Sequence, residues 1–377
     1  MANVFINGLK SKTGGGKSIL TNYLTLLQKN IRNNRYFVLT PEKEDYLKYS
    51  CDYIDIVDIS FVYKKNICFP ILYKFAIPKL LQQYNIDLIF NLGDVIIPTS
   101  IPQLYLFDWA YAVYPESIVW DRMNLKDLLT RKIKTIVIKR YIYNAAIVIS
   151  QTKTIKDRLV STFKLNNVEI VPNAVTLENL SSQRNYDFGL PKNKIKLLYL
   201  SNYSSHKNIE ILIPIAKKIK VLNLPYHLIV TFERRQHKLA GKFMENIENF
   251  GLQEVLQNIG NVQMDQVPSL YEQCDALIMP TLLETYGLPY IEAMYHGKTI
   301  LTSDLDFAKD VCGEAAFYFD PLDDDSILAS INLAFRDENL RIKKTKVGKS
   351  KIAQLPSWNE VFMRYHDLLE MCNSKKS

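Results

Sequence analysis

Residues 276–302 read ALIMPTLLETYGLPYIEAMYHGKTILT, and this stretch decides the fold class. A short apolar run, Ala276–Met279, precedes a loop with Gly and Pro. A segment of helical spacing, Pro289–His296, then leads into a second apolar run, Thr299–Thr302. Strand, helix and strand in this order predict two parallel strands joined by a crossover helix. Continuous apolar runs are typical of parallel strands that are buried on both faces.

The same alternation continues along the chain in both directions from this unit. In the first half the predicted strands are Val4–Ile6, Tyr36–Leu39, Ile54–Ile59, Leu88–Phe90, Leu104–Phe107, Ala146–Ile149 and Glu169–Val171. In the second half the further predicted strands are Lys196–Leu200, Leu228–Thr231 and Ala316–Phe319. Amphipathic segments lie between many of them. The pattern predicts an α/β fold with helices on both faces of parallel sheets.

Two domains are expected, because 377 residues exceed the roughly 250–300 at which a single core stops growing. The polar segment Ala174–Asn193, which contains Gly189-Leu190-Pro191, interrupts the alternation and is predicted to be the linker. We therefore predict Rossmann-like domains at 1–180 and 181–356. A final helix in 357–377, entered at Trp358, is expected to pack back on the first domain.

Composition excludes several classes of protein. Hydrophobic residues make up 47% and charged residues 23%, which is ordinary for a globular chain and excludes wholesale disorder. The chain has no run of about 20 apolar residues and no recognisable export signal at its start. Its five cysteines are scattered without a CxxC pair, so we predict reduced thiols and a cytoplasmic protein.

Positive charge is concentrated in the first half of the chain. Residues 1–180 contain 23 Lys and Arg against 15 Asp and Glu, an excess of 8 that accounts for the whole net charge of +8. The excess is densest at 122–140, where seven basic residues accompany one acidic residue, Asp127. Such a cluster suits an anionic partner, namely a phosphate-bearing substrate, a membrane surface or a nucleic acid. A solvated helix face is the alternative.

Two carboxylates flank a glycine and a proline in the deciding stretch. Glu284 lies in the loop after a strand, and Glu292 lies one turn into the following helix, since Pro289 is tolerated in a first turn. Backbone N–H groups around Gly287 would point outward at the helix N-terminus and suit hydroxyls or phosphate oxygens. Either glutamate alone is also explained by favouring a helix N-terminus.

The stretch Val267–Pro321 resembles the C-terminal signature of the family 4 (group 1) retaining glycosyltransferases. It contains, in order, Val267-Pro268-Ser269-Leu270-Tyr271, Cys274-Asp275-Ala276, Glu284 and Glu292 with seven residues between them, Gly297-Lys298, Thr302-Ser303-Asp304 and Phe319-Asp320-Pro321. The resemblance implies the GT-B fold, in which two Rossmann-like domains face each other across a cleft. It also implies a nucleotide-diphosphate-sugar donor, bound mainly by the second domain.

The resemblance implies a role for each matching residue. Glu284 would contact the transferred sugar together with the backbone of Tyr286, Gly287 and Leu288, and Glu292 would bind the ribose. Lys207 would neutralise the donor diphosphate. The family places an arginine five residues before that lysine, but here the position is Asn202. His206, Arg234 or Arg235 could supply the missing charge.

The first domain would bind the acceptor. Gly14, Gly15 and Gly16 follow the first predicted strand and suit a loop that contacts phosphate or acceptor, or a plain tight turn. A P-loop is disfavoured, because Ser11 occupies the position of its first glycine. Asp108 lies near the place of the histidine that many relatives carry beside the acceptor, and it either orients an acceptor hydroxyl or caps a turn. Three aromatic residues nearby suit either sugar stacking or the core: Trp109, Tyr111 and Tyr114.

We predict no metal and no cofactor. Asp304-Leu305-Asp306 spells a DxD pattern that binds metal in another glycosyltransferase class, but it falls here in a loop where the resemblance implies none. The run Asp323-Asp324-Asp325 precedes a helix and is explained by capping.

A basic amphipathic helix is predicted within the charged region. Its apolar residues fall at helical spacing with Lys and Arg between them: Leu125, Leu128, Leu129, Ile133, Ile136 and Val137. One interpretation is a peripheral helix that binds the anionic inner face of the cell membrane. The other is that the apolar residues belong to the core. Nucleic acid is disfavoured, because no binding motif accompanies the charge.

The resemblance, together with these patterns, implies a metal-independent, retaining glycosyltransferase. Its acceptor would be a glycan, linked to a polyprenyl diphosphate, in the assembly of a bacterial-type surface polysaccharide such as O-antigen or capsule. Two alternatives keep the fold: a sugar-nucleotide epimerase or phosphorylase, and an inactive scaffold, which the asparagine at 202 makes conceivable.

Overall fold

A computed structural model of the chain describes residues 1–12, 14–30, 34–59, 71–93, 95–174 and 185–374. The predicted α/β class is confirmed, since two wholly parallel sheets account for the strands. Half of the predicted linker, residues 175–184, and Cys68 lie outside the described residues. The four described cysteines are free thiols.

The first sheet has seven strands in the order β3-β2-β1-β4-β5-β6-β7. The strands are β1 (Asn3–Asn7), β2 (Arg35–Leu39), β3 (Ile54–Val57), β4 (Leu88–Asn91), β5 (Gln103–Leu106), β6 (Ile147–Ser150) and β7 (Val168–Ile170). The helices among them are α1 (Gly14–Lys29), α2 (Ile77–Gln83), α3 (Leu125–Tyr141) and α4 (Lys153–Phe163). The central strands are buried along their length because helices cover both faces.

The second sheet has six strands in the order β10-β9-β8-β11-β12-β13. The strands are β8 (Ile195–Tyr199), β9 (Tyr226–Val230), β10 (Leu256–Asn258), β11 (Ala276–Met279), β12 (Thr299–Ser303) and β13 (Ala316–Phe319). The helices are α5 (Leu212–Val221), α6 (Lys238–Asn249), α7 (Val267–Gln273), α8 (Leu288–Tyr295), α9 (Asp306–Cys312), α10 (Asp324–Arg336) and α11 (Glu338–Ile352). Helix α12 (Trp358–Ser374) ends the described chain.

The chain divides into two compact units, one around each sheet. Unit 1 comprises Met1–Pro115, Leu125–Ala174 and Pro356–Ser377, so the terminal helix α12 belongs to it. Unit 2 comprises Val175–Leu355 and also a short excursion, Glu116–Asn124. The sequence did not predict this excursion, because its few residues carry no periodic pattern.

The core of unit 1 shows why α12 belongs there. Phe362 and Tyr365 of α12 are buried, and their rings lie 5.2 Å and 6.2 Å from the ring of Tyr23 in α1. Phe90 of β4 lies 5.1 Å from both Tyr23 and Tyr365. Aromatic burial of this extent fastens the last helix to the first sheet.

Candidate functional site in unit 2

An ion pair lies where two neighbouring parallel strands of unit 2 end. Lys207 closes a 3₁₀ turn, Ser205–Lys207, after β8, and Glu284 lies in the loop after β11. Strands β8 and β11 are paired, so their carboxyl ends share one edge of the sheet. The Nζ of Lys207 is 2.5 Å from the Oε1 of Glu284, and the two side chains are 17% and 11% exposed. Such edges are where open parallel sheets bind ligands.

The loops that carry the pair are joined by hydrogen bonds. The backbone N–H of Leu282 donates to the carbonyl of His206 at 2.7 Å. The hydroxyl of Thr281 lies 3.1 Å from Glu284 Oε1 and 3.1 Å from the same carbonyl. The hydroxyl of Tyr199 donates to the carbonyl of Lys207 at 2.6 Å. These hydrogen bonds fix the backbone segments that carry Lys207 and Glu284.

Asn208, next to Lys207, ties three loops together. It is buried and adopts a left-handed conformation with φ 53°. Its Nδ2 donates to the carbonyls of Pro280 and Pro321 at 3.1 and 2.7 Å. Its Oδ1 accepts from Nη1 of Arg122 at 2.6 Å, and Arg122 lies on the excursion. The sequence did not reveal this role of Asn208.

Glu292 lies one turn into α8, which begins after Gly287 at φ 78° and carries Pro289 in its first turn. The hydroxyl of Tyr271 lies 3.1 Å from Oε2 of Glu292 and 3.2 Å from the carbonyl of Pro289. Burial raises the pKa of Glu292 to about 7, although the Tyr271 hydrogen bond acts in the opposite direction. Within the part of the chain that the structure describes, no hydrogen bond joins Glu292 to Lys207 or Glu284.

His296 extends the cluster around Tyr271. Its ring stacks on that of Tyr271 at 5.1 Å, with an angle of 9° between the planes. Burial, with a smaller effect of the nearby Lys298 ammonium, lowers the pKa of His296 to about 4. The ring is therefore neutral at physiological pH and adds no positive charge beside Glu292.

The other residues predicted to bind the donor are dispersed. Asn202 is exposed, and the imidazole of His206 lies 2.8 Å from the hydroxyl of Ser204. Tyr286 is buried, and burial raises the pKa of its hydroxyl. Arg234 pairs with Glu248 of α6 at 3.0 Å. Glu248 is exposed and lies in the last turn of α6.

The candidates in unit 1 also share one sheet edge. Gly14, Gly15 and Gly16 form the first turn of α1, the helix that follows β1, while Thr13 lies outside the described residues. Beside Gly16, the buried hydroxyl of Ser11 has no hydrogen-bond partner among the described residues. Asp108 follows β5 and is exposed. Because β1, β4 and β5 are neighbours, their following loops lie along the same edge.

Cations cover the aromatic rings near Asp108. The ammonium of Lys134 lies 3.3 Å from the ring centre of Trp109. The guanidinium of Arg131 lies 4.6 Å from the ring of Tyr111, and that of Arg158 lies 3.6 Å from the ring of Tyr114. Both tyrosines are buried. Core packing therefore explains these aromatics better than sugar stacking does.

The acidic patterns have structural partners. Asp304 pairs with Lys309 at 2.5 Å, and Asp306 accepts from the N–H of Phe307 in the first turn of α9. Asp323 caps α10 by accepting from the N–H of Asp325 at 2.9 Å, as the sequence predicted. Asp323, Asp324 and Asp325 lie close enough together to hold a cation, but Lys218 pairs with the last two. The absence of a metal stays a prediction.

Sequence comparison matches most of unit 2 to a known family. Residues 183–351 match the family described as glycosyl transferases group 1. The O-antigen chain mannosyltransferase RfbU of Salmonella typhimurium is 24% identical over 276 residues, which cover 72% of this chain and 69% of RfbU. The resemblance predicted from the sequence is confirmed.

Structural comparison identifies the fold. The sucrose-phosphate synthase of Thermosynechococcus elongatus matches with a TM-score of 0.76 at 14% identity, covering 100% of both chains. Alr3699/HepE of Anabaena, solved in complex with UDP and glucose, matches with a TM-score of 0.71 at 15% identity, covering 98% of this chain and 100% of its own. The GT-B fold is confirmed, and identities this low concern the fold alone.

Proposed function

We propose, from the group 1 glycosyltransferase domain that unit 2 carries on a GT-B fold, that this protein is a retaining sugar transferase. Its donor is a nucleotide-diphosphate hexose, and its acceptor is a glycan linked to a lipid in surface-polysaccharide assembly. Mannose is the first sugar to test, because RfbU is named a mannosyltransferase. The observation that carries the proposal is the Lys207–Glu284 pair at the carboxyl ends of β8 and β11.

The pair offers the two kinds of recognition that such a donor needs. The ammonium of Lys207 attracts the diphosphate, and the carboxylate of Glu284 accepts hydrogen bonds from sugar hydroxyls. Without a ligand the two groups neutralise each other at 2.5 Å. A bound donor inserts its phosphate and sugar around charges that are already oriented, so little reorganisation is required.

The transfer step is the one that the resemblance to the family 4 retaining glycosyltransferases implies. The bond between the anomeric carbon and the β-phosphate oxygen breaks, and the acceptor oxygen bonds to that carbon on the same face. The acceptor proton passes to the departing phosphate oxygen. Lys207 stabilises the negative charge that develops on the diphosphate, which is the main contribution of the protein. We assign Glu292 to the ribose, and the loops at Gly14–Gly16 and Asp108 of unit 1 to the acceptor.

A thermal-shift screen against UDP-, GDP- and dTDP-hexoses tests the proposal, because a ligand of the folded state raises the melting temperature. The matched control variant is Lys196→Ala. Lys196 pairs with Asp275 at 3.3 Å across the same two strands, at their opposite ends. We expect Lys207→Ala and Glu284→Ala to abolish transfer and Lys196→Ala to retain it.

Three outcomes would contradict the proposal. Full transfer by Lys207→Ala or Glu284→Ala would remove the pair from the site. Donor binding without transfer to any acceptor would favour an inactive scaffold. Conversion of the donor without an acceptor, or only with inorganic phosphate, would favour an epimerase or a phosphorylase. NMR of the product linkage tests retention directly.

A further inference from the structure

Helix α3 of unit 1 turns aliphatic side chains toward solvent. Leu125, Leu129, Ile133 and Ile136 are 84%, 62%, 53% and 64% exposed. At 100° per residue these four lie within an arc of about 80°, so they form one continuous row along the helix. We call them the outer row. Large aliphatic residues exposed singly are common, but a contiguous row marks a surface that another body covers.

The opposite face of α3 is cationic and packs inward. Arg131 and Lys134 lie over the rings of Tyr111 and Trp109, and Thr135 accepts a hydrogen bond from the indole N–H of Trp109 at 3.4 Å. Ile138 is the buried aliphatic residue of the helix. An ordinary surface helix buries its aliphatic face and exposes its cations. Here the aromatic surface below takes cations, and the aliphatic residues face outward.

Exposed basic residues flank the outer row. Lys132 and Lys139 lie on one side of it and Lys126 on the other, and Arg140 falls within its arc. The whole region 122–140 carries seven basic residues and one acidic residue. The outer face of α3 therefore combines apolar area with net positive charge.

We infer that the outer row and its flanking lysines form a docking surface for an anionic lipid bilayer. Aliphatic side chains enter the acyl boundary while lysines reach the charged headgroups, which is how interfacial helices bind. A second copy of this chain fits poorly, because two such faces would bring their basic residues together. Nucleic acid fits poorly too, because the aliphatic side chains of the outer row cannot form hydrogen bonds or ion pairs with phosphates. The inference is independent of sugar transfer.

No helix in the described ranges combines the length and apolar character needed to cross a bilayer. Attachment through α3 would therefore be peripheral. Peripheral binding that depends on charge weakens as salt screens the surface potential. Both the apolar and the basic residues of α3 contribute, and each contribution is separately testable.

The test is co-sedimentation of the full chain with vesicles of phosphatidylcholine containing phosphatidylglycerol, and with phosphatidylcholine vesicles alone. The apolar variant is Leu129→Ser/Ile133→Ser/Ile136→Ser, with Val221→Ser/Leu222→Ser as its control at comparably exposed positions of unit 2. The charge variant is Lys126→Gln/Lys132→Gln/Lys139→Gln. Its control changes three exposed lysines of α11: Lys343→Gln/Lys346→Gln/Lys349→Gln.

We expect the wild-type chain to bind only the anionic vesicles and to dissociate at high salt. Each α3 variant should lose at least tenfold in partitioning, and both controls should bind like the wild type. Unchanged melting temperatures would show that the substitutions act at the surface. No vesicle binding by the wild type, equal binding by variants and controls, or binding that ignores lipid charge would overturn the inference. A wild-type dimer that the apolar variant dissociates would overturn it in favour of a contact between copies.

Discussion

Lys207 and Glu284 are 77 positions apart in the chain, yet the lysine Nζ lies 2.5 Å from the glutamate Oε1. The pairing of β8 with β11 brings these two positions to one sheet edge. Their loops are then joined by the bond from Leu282 N–H to the carbonyl of His206. The ion pair is thus a consequence of the strand order, and it exists before any ligand binds.

The first prediction concerns the coupling between these two charges. Because both side chains are largely buried, removing one leaves the other unpaired in a poorly solvated place. Lys207→Met and Glu284→Gln should each lower the free energy of unfolding, and the double variant should lose less than their sum by about 1–2 kcal/mol. Denaturant unfolding of the four proteins measures this coupling. Strict additivity would show that the pair contributes nothing to the fold.

The second prediction concerns pH and Glu292. Its pKa is raised to about 7 in the fold, above about 4.3 in an unfolded chain. Between these two values the carboxyl is protonated in the folded state and ionised in the unfolded state. Its contribution to the free energy of unfolding is therefore largest below about pH 4.3 and declines as the pH rises through 7. Relative to the wild type, Glu292→Gln should gain about 1–3 kcal/mol of stability between pH 5 and pH 8.

The control for Glu292→Gln is a substitution of His296, which stacks on Tyr271. The pKa of His296 is lowered to about 4, so its contribution is complete above about pH 6.5 and is lost as the pH falls toward 4. His296→Gln should therefore alter the acid side of the stability profile and leave the range from pH 7 to pH 8 unchanged. A stability difference between Glu292→Gln and wild type that is flat with pH would contradict the burial of this carboxyl.

The third prediction concerns Tyr271, whose hydroxyl lies 3.1 Å from Glu292. This hydrogen bond favours the charged carboxylate, so Tyr271→Phe should raise the pKa of Glu292 further. The midpoint of the pH profile should move to higher pH, with a loss of about 1 kcal/mol in stability. Tyr295→Phe removes a hydroxyl from the same helix α8 as Glu292 and should leave the midpoint in place. An unmoved midpoint in Tyr271→Phe would refute the contact.

The fourth prediction concerns Asn208, which joins the loops at Pro280 and Pro321 and accepts from Arg122. Asn208→Ala removes these bonds and puts a Cβ-bearing residue with a poor left-handed propensity at φ 53°, so stability should fall by about 2–4 kcal/mol. Asn208→Gly loses the same bonds without the backbone cost and should be about 1 kcal/mol more stable than Asn208→Ala. Equal stability of the two variants would show that the backbone conformation is unimportant.

Most of the fold could be predicted from the sequence, because buried parallel strands have continuous apolar sequences. Strand β10 escaped prediction, since this three-residue edge strand reads Leu-Gln-Asn and is only partly buried. Helix α11 was not predicted either. Its one buried residue is Gly348, which packs against Met294. The helix therefore has no apolar periodicity from which it could be predicted.

The site could be predicted in part for a similar reason. Glu284, Lys207 and the Asp323 cap follow local signals that a motif or a helix start records. Arg234 pairs with Glu248 on a different element, a contact that no local pattern records. The roles of Asn208 and Tyr271 depend on contacts between distant loops, which no local pattern records. The orientation of α3 was undecided in the sequence, because amphipathic spacing does not tell which face is covered.

The most direct test of the central claim is calorimetric titration of the bare nucleotide diphosphate and of the matching nucleotide sugar. If Lys207 binds the diphosphate and Glu284 the sugar, Lys207→Ala should weaken both ligands at least tenfold, about 1.4 kcal/mol. Glu284→Ala should weaken the nucleotide sugar by a similar factor and leave the bare diphosphate bound as well as before, since it frees the lysine. Equal weakening of both ligands by Glu284→Ala, or no weakening by Lys207→Ala, would contradict the account.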